Sequence, residues 1–121
     1  MDRTRLSDQL DKWRSGSSLD AEVVEAEIDD GLPREMELIA ALTAKGMPGE
    51  AFAKFVAITG VLNAAVVTRA SILEKIAKHV ETLRDTLARI AEGLRADSFD
   101  ISVSAPVGLS VSMTFKVERG R

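Results

Sequence analysis

The last part of the chain alternates between apolar and polar residues. In FDISVSAPVGLSVSMTFKV, residues 99–117, every odd position is apolar and every even position is polar, Pro or Gly. This period of two is typical of a half-buried β-strand. Because Pro106 has no N–H to donate to a strand ladder, the pattern predicts two strands joined by a turn at residues 105–108. One apolar face of the predicted β-hairpin therefore needs to be covered.

The alternation also predicts the length of the hairpin loop. A two-residue loop would place apolar residues opposite polar ones, whereas the three-residue loop Pro106-Val107-Gly108 keeps all apolar residues on one face. Pro suits the second residue of a type I turn, and Gly suits the left-handed position after it. The predicted strands are 99–105 and 109–117, with the pairs Ala105–Leu109, Val103–Val111, Ile101–Met113 and Phe99–Phe115. The cover is either the chain's own helices or another subunit.

The N-terminal region has the pattern of three short helices. Leu6, Leu10 and Trp13 form a narrow apolar stripe on the first. Gly31 is expected to end the second, and Pro33 suits the first turn of the third. Trp13 is either a packing residue or an interface anchor. The predicted helices are 2–14, 19–30 and 33–45.

A long heptad pattern follows and predicts a helix over 48–92. Its seam is apolar except for Thr59 and Arg69, and consists of Phe52, Phe55, Thr59, Leu62, Val66, Arg69, Leu73, Ile76, Val80, Leu83, Leu87, Ile90 and Leu94. We expect a continuous helix of about 65 Å. The alternative is a break near 68–71 into an antiparallel pair, because Arg69 interrupts the seam. The fold class is then mainly α with a C-terminal β-hairpin (α+β).

Composition limits the partners that we expect. The 121 residues suit one domain, with a net charge of −3 and a pI near 5.2, so we expect no nucleic-acid partner. There is no cysteine for disulfide or thiol chemistry. The charged N-terminus has no apolar core typical of a signal peptide, and we expect a cytoplasmic protein. The expected regions are short helices in 1–47, the long helix in 48–95 and the hairpin in 98–117.

Catalytic and metal-binding patterns are sparse. Glu22, Glu25 and Asp29 share one helical face, which favours a solvated face or an acidic docking surface for a basic partner at residues 20–30. A divalent cation is the alternative for these carboxylates, and would imply an enzyme with an intersubunit site. His79, the only histidine, is expected at a solvent edge. We therefore predict no enzyme, no cofactor and no metal.

These features favour a non-enzymatic module for oligomerisation or protein–protein interaction, such as a scaffold, an adaptor or an accessory subunit. The expected mechanism is self-association into a homo-oligomer through the long helix and the hairpin. The alternative is a membrane-active protein that uses the apolar segment 51–67 and the amphipathic hairpin; we do not favour a membrane partner, because the strands are short for a membrane span. The candidate interface residues are Leu73, Ile76, Val80, Leu83, Leu87, Ile90, Phe99, Ile101, Val103, Val111, Met113 and Phe115.

Overall fold

The computed structural model describes residues 5–105 and 108–115 of the chain. This part is mainly helical and ends in a two-stranded antiparallel hairpin, which confirms the predicted fold class. The helices are α1 (Arg5–Arg14), α2 (Ala21–Ala44), α3 (Pro48–Thr68), α4 (Ile72–Lys78) and α5 (Val80–Leu94). The strands are β1 (Ser98–Ser104) and β2 (Gly108–Thr114).

Helix α2 corrects the prediction of two helices over 19–30 and 33–45. It runs without a break from Ala21 to Ala44, with Gly31 and Pro33 inside it. A Pro in a helix interior costs about 3 kcal/mol. Burying the side chains that follow it, including Met36 and Ile39, contributes about 1.5–3 kcal/mol each, which offsets that cost. Gly31 and Pro33 therefore do not end the helix, because the buried apolar stripe of α2 continues past both residues.

Helix α1 packs on α2 and α3, with Leu6 and Leu10 buried. Of the predicted helix 2–14, residues 2–4 lie outside the described residues. Gly31 of α2 leaves room for this contact, because a Cβ at Gly31 would lie 3.3 Å from the Cβ of Leu6. Gly31, which was predicted to end a helix, instead allows α1 and α2 to approach closely.

The expectation of a continuous helix over 48–92 is wrong, and the alternative, a break near 68–71, is what the structure has. Helix α3 ends at Thr68, α4 begins at Ile72, and a further turn at His79 separates α4 from α5. Pro48, at the start of α3, lies against Gly93, near the end of α5, so the two helices run antiparallel. Folding back buries most of the apolar seam residues within one chain, which a single helix of about 65 Å could not do.

The hairpin has a different register from the predicted one. Its pairs are Phe99–Met113, Ile101–Val111 and Val103–Leu109, two residues away from the predicted partners. The interval between the strands is 105–107 instead of 106–108, and residues 106–107 and 116–117 lie outside the described part. Because the shift is an even number, the apolar residues keep a common face.

A contact with α3 accounts for this register. The Asn63 side chain donates from Nδ2 to the carbonyl oxygen of Leu109 and accepts from its N–H, both at 2.8 Å. Gly108 has a φ of +99°, and a Cβ there would overlap with Oδ1 of Asn63. This tertiary contact fixes Leu109 beside α3 and opposite Val103, which local turn preferences do not specify.

The chain covers most of the hairpin's apolar face itself. Strand β1 packs on α4 and α5, and β2 packs on α3. Ile101 and Leu109 are buried in the same core as the helices. The described residues thus form one α+β core.

Candidate interaction surface

The predicted interface residues of the helices lie mostly inside the fold. Ile76, Leu83, Leu87 and Ile90 are fully buried, and Leu73 and Val80 are half-buried. On the hairpin Ile101 is buried, and four residues are half-buried against the core: Phe99, Val103, Val111 and Met113. Phe115 is 48% exposed. The structure therefore brings these residues together within one chain and leaves Phe115 the most open of them.

Glu25 is bonded to the segment at the α3–α4 break. Its carboxylate accepts hydrogen bonds from Arg69 and, at 2.7 Å, from the hydroxyl of Ser71. The Nζ of Lys75 donates to the backbone oxygen of Glu25 at 3.1 Å. The hydrogen bonds from Ser71 and Arg69 lower the pKa of Glu25, and the same carboxylate raises the pKa of Arg69. We call the contacts that Glu25 and Asp29 make with residues 69–79 the α2–α4 clasp.

Asp29 forms the second half of the α2–α4 clasp. Its Oδ1 lies 3.0 Å from Nε2 of His79, and its Oδ2 lies 3.9 Å from Nζ of Lys75. The hydrogen bond with His79 is the main reason that the pKa of Asp29 is lowered. Glu22 is exposed, and its charge contributes to the raised pKa of Arg69. The basic groups facing the acidic residues thus belong to the chain itself, and a basic protein partner at residues 20–30 stays a prediction.

Glu35 is a buried carboxylate that sequence reasoning missed. It is 1% exposed and lies where α1, α2 and α3 meet. Its Oε2 accepts a hydrogen bond of 2.5 Å from the hydroxyl of Ser7, and the Nζ of Lys54 lies 3.4 Å from Oε1. Its position between Leu32 and Ile39 on the apolar stripe of α2 was the available signal. This group ties the three N-terminal helices together.

One side of α3 is apolar and open to solvent in the described structure. We define the α3 open face as the exposed residues Ala53, Val56 and Val67, which recur at spacings of three and eleven. Val56 is 43% exposed and Val67 is 83% exposed. None of these three residues is charged, so they offer a partner no ion pairs and only apolar contact.

The α3 open face is bordered by α1 on one side and the hairpin on the other. A Cβ at Gly60 would lie 2.6 Å from the indole ring of Trp13, so the glycine allows the ring to lie against α3. Asn63, three residues further along, holds Leu109 of β2. Trp13 remains 39% exposed. It therefore packs against α3 and also extends the open apolar surface.

A groove of about 280 Å³ lies between α2 and α5, where Met36 and Ala40 are flanked by Glu37, Asp85 and Arg89. Within 5–105 and 108–115 no group of three or more His, Cys, Asp or Glu side chains is placed to hold a metal ion. The groove combines apolar residues with charges of both signs.

Helix α3 is long and apolar enough to span a membrane, judged by length and composition alone. Half of its most apolar 18-residue window is buried in the fold, which also fits the core helix of a soluble protein. The apolar residues of α3 therefore lie on two sides of the helix. One side packs in the core, and the other forms the α3 open face.

Comparison of the chain with protein-family models, with curated proteins and with solved structures found no match.

Proposed function

We propose that this protein is a non-enzymatic self-association module, acting in the cytoplasm as a scaffold, an adaptor or an accessory subunit. The observation that carries the proposal is the α3 open face, where Val56 and Val67 lie exposed on a helix whose other side is in the core. We propose a second copy of the chain as the partner. The interface belongs to the helical segment predicted from the sequence, but to a different side of it from the heptad seam.

The physical basis is burial of apolar surface. Fully covering one valine side chain contributes about 1.5–3 kcal/mol. The small side chain of Ala53, which is exposed, lets another helix approach closely at this face. Trp13 is a residue type enriched among the energetically dominant residues of interfaces, and it lies at the edge of this surface.

The hairpin would contribute at its open end. Phe115 follows the last residue of β2 and is half exposed, although most of the hairpin's apolar face is covered. In the proposed assembly Phe115 adds apolar area beside α3, since β2 packs on that helix. In this proposal the hairpin adds apolar area at the edge of the interface, and α3 forms its centre.

The decisive variant is Val67→Lys, which places a charge in the proposed interface. Ala77→Lys is the matched control, because Ala77 is also an exposed small apolar residue but belongs to α4 and not to the α3 open face. Sedimentation equilibrium should give a defined oligomer for the wild type and for Ala77→Lys. Val67→Lys should weaken association at least ~10-fold, which corresponds to about 1.4 kcal/mol. A monomeric wild type at high concentration, or equal association of all three proteins, would contradict the proposal.

A membrane-active protein is the second candidate, favoured by the length and apolar character of α3. Insertion would require α3 to leave the core, where Phe55 and Leu62 are fully buried. Co-sedimentation with neutral and anionic liposomes separates the two candidates. Binding that survives in Ala77→Lys and is lost in Val67→Lys would support the membrane function. No binding by the wild type would dismiss it.

A further inference from the structure

The two ends of the α3 open face lie at equal distances from Gly60. Ala53 precedes Gly60 by seven residues and Val67 follows it by seven, which is about 10 Å along the helix in each direction. Because seven residues make nearly two turns, the three positions fall on nearly the same side of α3. The face therefore has a midpoint at Gly60, with a small exposed residue on one side of it and a valine that is 83% exposed on the other.

The indole ring of Trp13 occupies this midpoint. A Cβ at Gly60 would lie 2.6 Å from the ring, so the ring lies directly over the glycine, and Trp13 is still 39% exposed. A partner that covers the α3 open face from end to end has to contact this ring.

We propose that two α3 open faces pair antiparallel about a two-fold axis beside Gly60, so that Val67 of each copy packs on Ala53 of the other and the two Trp13 rings meet at the axis. This inference rests on the proposed self-association, and it names the surface of the second copy that each α3 contacts. A closed two-fold dimer is the commonest form of homo-oligomer, and its interface uses the same surface of both copies.

The sizes of the side chains favour the antiparallel arrangement. Turning one copy about this axis brings Val67 level with Ala53 and Val56 level with Ala64, because the members of each pair are equally far from Gly60. Each exposed valine then meets an alanine. In a parallel pair in register the valines would meet each other, and they would hold the alanines of the two copies apart.

The two-fold axis also accounts for the contact between the two indole rings. An axis perpendicular to α3 keeps both copies of α1 on the same side of the helix pair, so the rings that lie over the two midpoints come beside each other. Tryptophan is enriched among the energetically dominant residues of interfaces, and such residues tend to pair with one another across the interface.

Charges at the ends of α3 favour the same orientation. Glu50 lies in the first turn, and Arg69, whose side chain is 46% exposed beside Glu25, follows the last turn. Antiparallel pairing brings the acidic end of one copy level with the basic end of the other, whereas parallel pairing brings like charges to the same level. The helix dipoles act in the same sense, because the N-terminal end of each helix then lies beside the C-terminal end of the other.

The test uses engineered cysteines, since the chain has none of its own. Val67→Cys and Ala53→Cys are made as separate proteins, mixed until subunits have exchanged, and treated with a short bismaleimide. We expect a covalent dimer from the mixture and only monomers from each protein alone on a denaturing gel, because identical positions lie about 21 Å apart in the antiparallel pair. Val67→Cys mixed with Ala77→Cys is the matched control and should give no covalent dimer, since Ala77 is exposed on α4.

Light scattering on the same samples separates this inference from the proposed function. Covalent dimers from each protein alone and none from the mixture would mean parallel pairing. An oligomer in solution without a covalent dimer in any sample would mean that other residues mediate association. Either result overturns the antiparallel pairing and leaves self-association standing. If no oligomer forms, the proposed function fails, and the pairing fails with it.

Fluorescence tests the position of the axis without cysteines, because Trp13 is the only tryptophan of the chain. Diluting the wild type until it dissociates should make Trp13 more accessible to quenching by acrylamide, since the ring is uncovered at the axis. Val67→Lys should show the accessible state at concentrations where the wild type and Ala77→Lys are protected. Unchanged quenching while the wild type dissociates would overturn the contact between the two rings.

Discussion

At the scale of single residues, two hydrogen bonds between Asn63 and Leu109 connect the hairpin to α3. In Asn63→Ala, the Leu109 N–H and C=O lose their partner in a half-buried place, which should lower the free energy of unfolding by about 1–3 kcal/mol. Urea denaturation measures the loss. Ser110→Ala, at an exposed neighbouring position, is the control and should change stability by less than about 0.5 kcal/mol.

Hydrogen exchange at Leu109 separates this explanation from a general loss of stability. The Leu109 amide should lose protection in Asn63→Ala by more than amides in the core of α5. A uniform loss over the chain would contradict a local role for Asn63. Asn63→Asp at neutral pH should destabilise at least as much as Asn63→Ala, because it retains an acceptor for the N–H but places a charged oxygen against the Leu109 carbonyl.

At the scale of elements, the contact between α1 and α3 depends on the pair Trp13 and Gly60. Gly60→Ala should destabilise the wild type, because the new Cβ would lie 2.6 Å from the indole ring. In a Trp13→Ala background the same substitution should stabilise by up to about 1 kcal/mol, since Ala is the better helix former. Thermal unfolding of the four proteins gives the coupling, and Gly49→Ala, with no neighbour near its prospective Cβ, controls for helix propensity. Equal effects in both backgrounds would exclude the contact.

The α2–α4 clasp predicts a loss of stability in acid. The pKa values of Glu25 and Asp29 are lowered in the folded chain, so protonation favours the unfolded state. Their contribution is present above the ordinary carboxyl pKa of about 4 and is lost as the pH falls through the lowered values. Chemical denaturation at pH 7 and below pH 4 should show a smaller pH effect for Glu25→Gln and Asp29→Asn than for the wild type. Glu74→Gln, exposed on α4, should keep the wild-type dependence.

The apolar periodicity of the sequence predicted which segments are helices and which are strands. It was less successful for the ends of the helices and for the register of the strands. The heptad periodicity found the positions of Phe55, Leu62 and Leu87, all of which are buried, because apolar spacing is a property of the core. Gly31 was wrongly expected to end a helix, because it serves a close contact with α1 that the sequence does not express. The hairpin register was wrong for the same kind of reason, since Asn63 lies 46 residues from Leu109.

At the scale of the whole molecule, the hairpin should be required for cooperative folding. Removing residues 97–121 deletes Ile101 and Leu109, whose burial contributes about 1.5–3 kcal/mol each, and uncovers α3 and α5. A domain of this kind has a total stability of about 5–15 kcal/mol. The chain 1–96 should therefore show a much lower unfolding temperature by circular dichroism, or no cooperative transition. An unchanged transition would show that the hairpin is not part of the core.

Ile101→Ser in the full chain reproduces part of this loss and guards against effects of truncation itself. It should lower the unfolding temperature, while Ser102→Ala, exposed on the opposite face of the strand, should leave it nearly unchanged. Equal effects of the two substitutions would contradict the assignment of faces in the hairpin.

The candidate surfaces were only partly accessible from the sequence. The spacing of Glu25 and Asp29 indicated an acidic face, but the basic residues that meet it come 44–50 residues later, across the chain's own fold. The α3 open face could not be predicted, because residues 51–67 are apolar on nearly every side of the helix and the sequence does not indicate which side faces solvent. Asn63, the one amide in that run, was the available signal for a special contact.

Asn63 also determines where this small sheet stops. Its amide occupies both the N–H and the C=O of Leu109, the two groups that an incoming strand would need at that position of β2. Fibrils grow by adding strands to open edges, and natural proteins commonly block such edges with charges or proline. Here a single helical side chain imitates a neighbouring strand, so a fibril nucleus would have to strip the hairpin from α3 before it could extend along this edge.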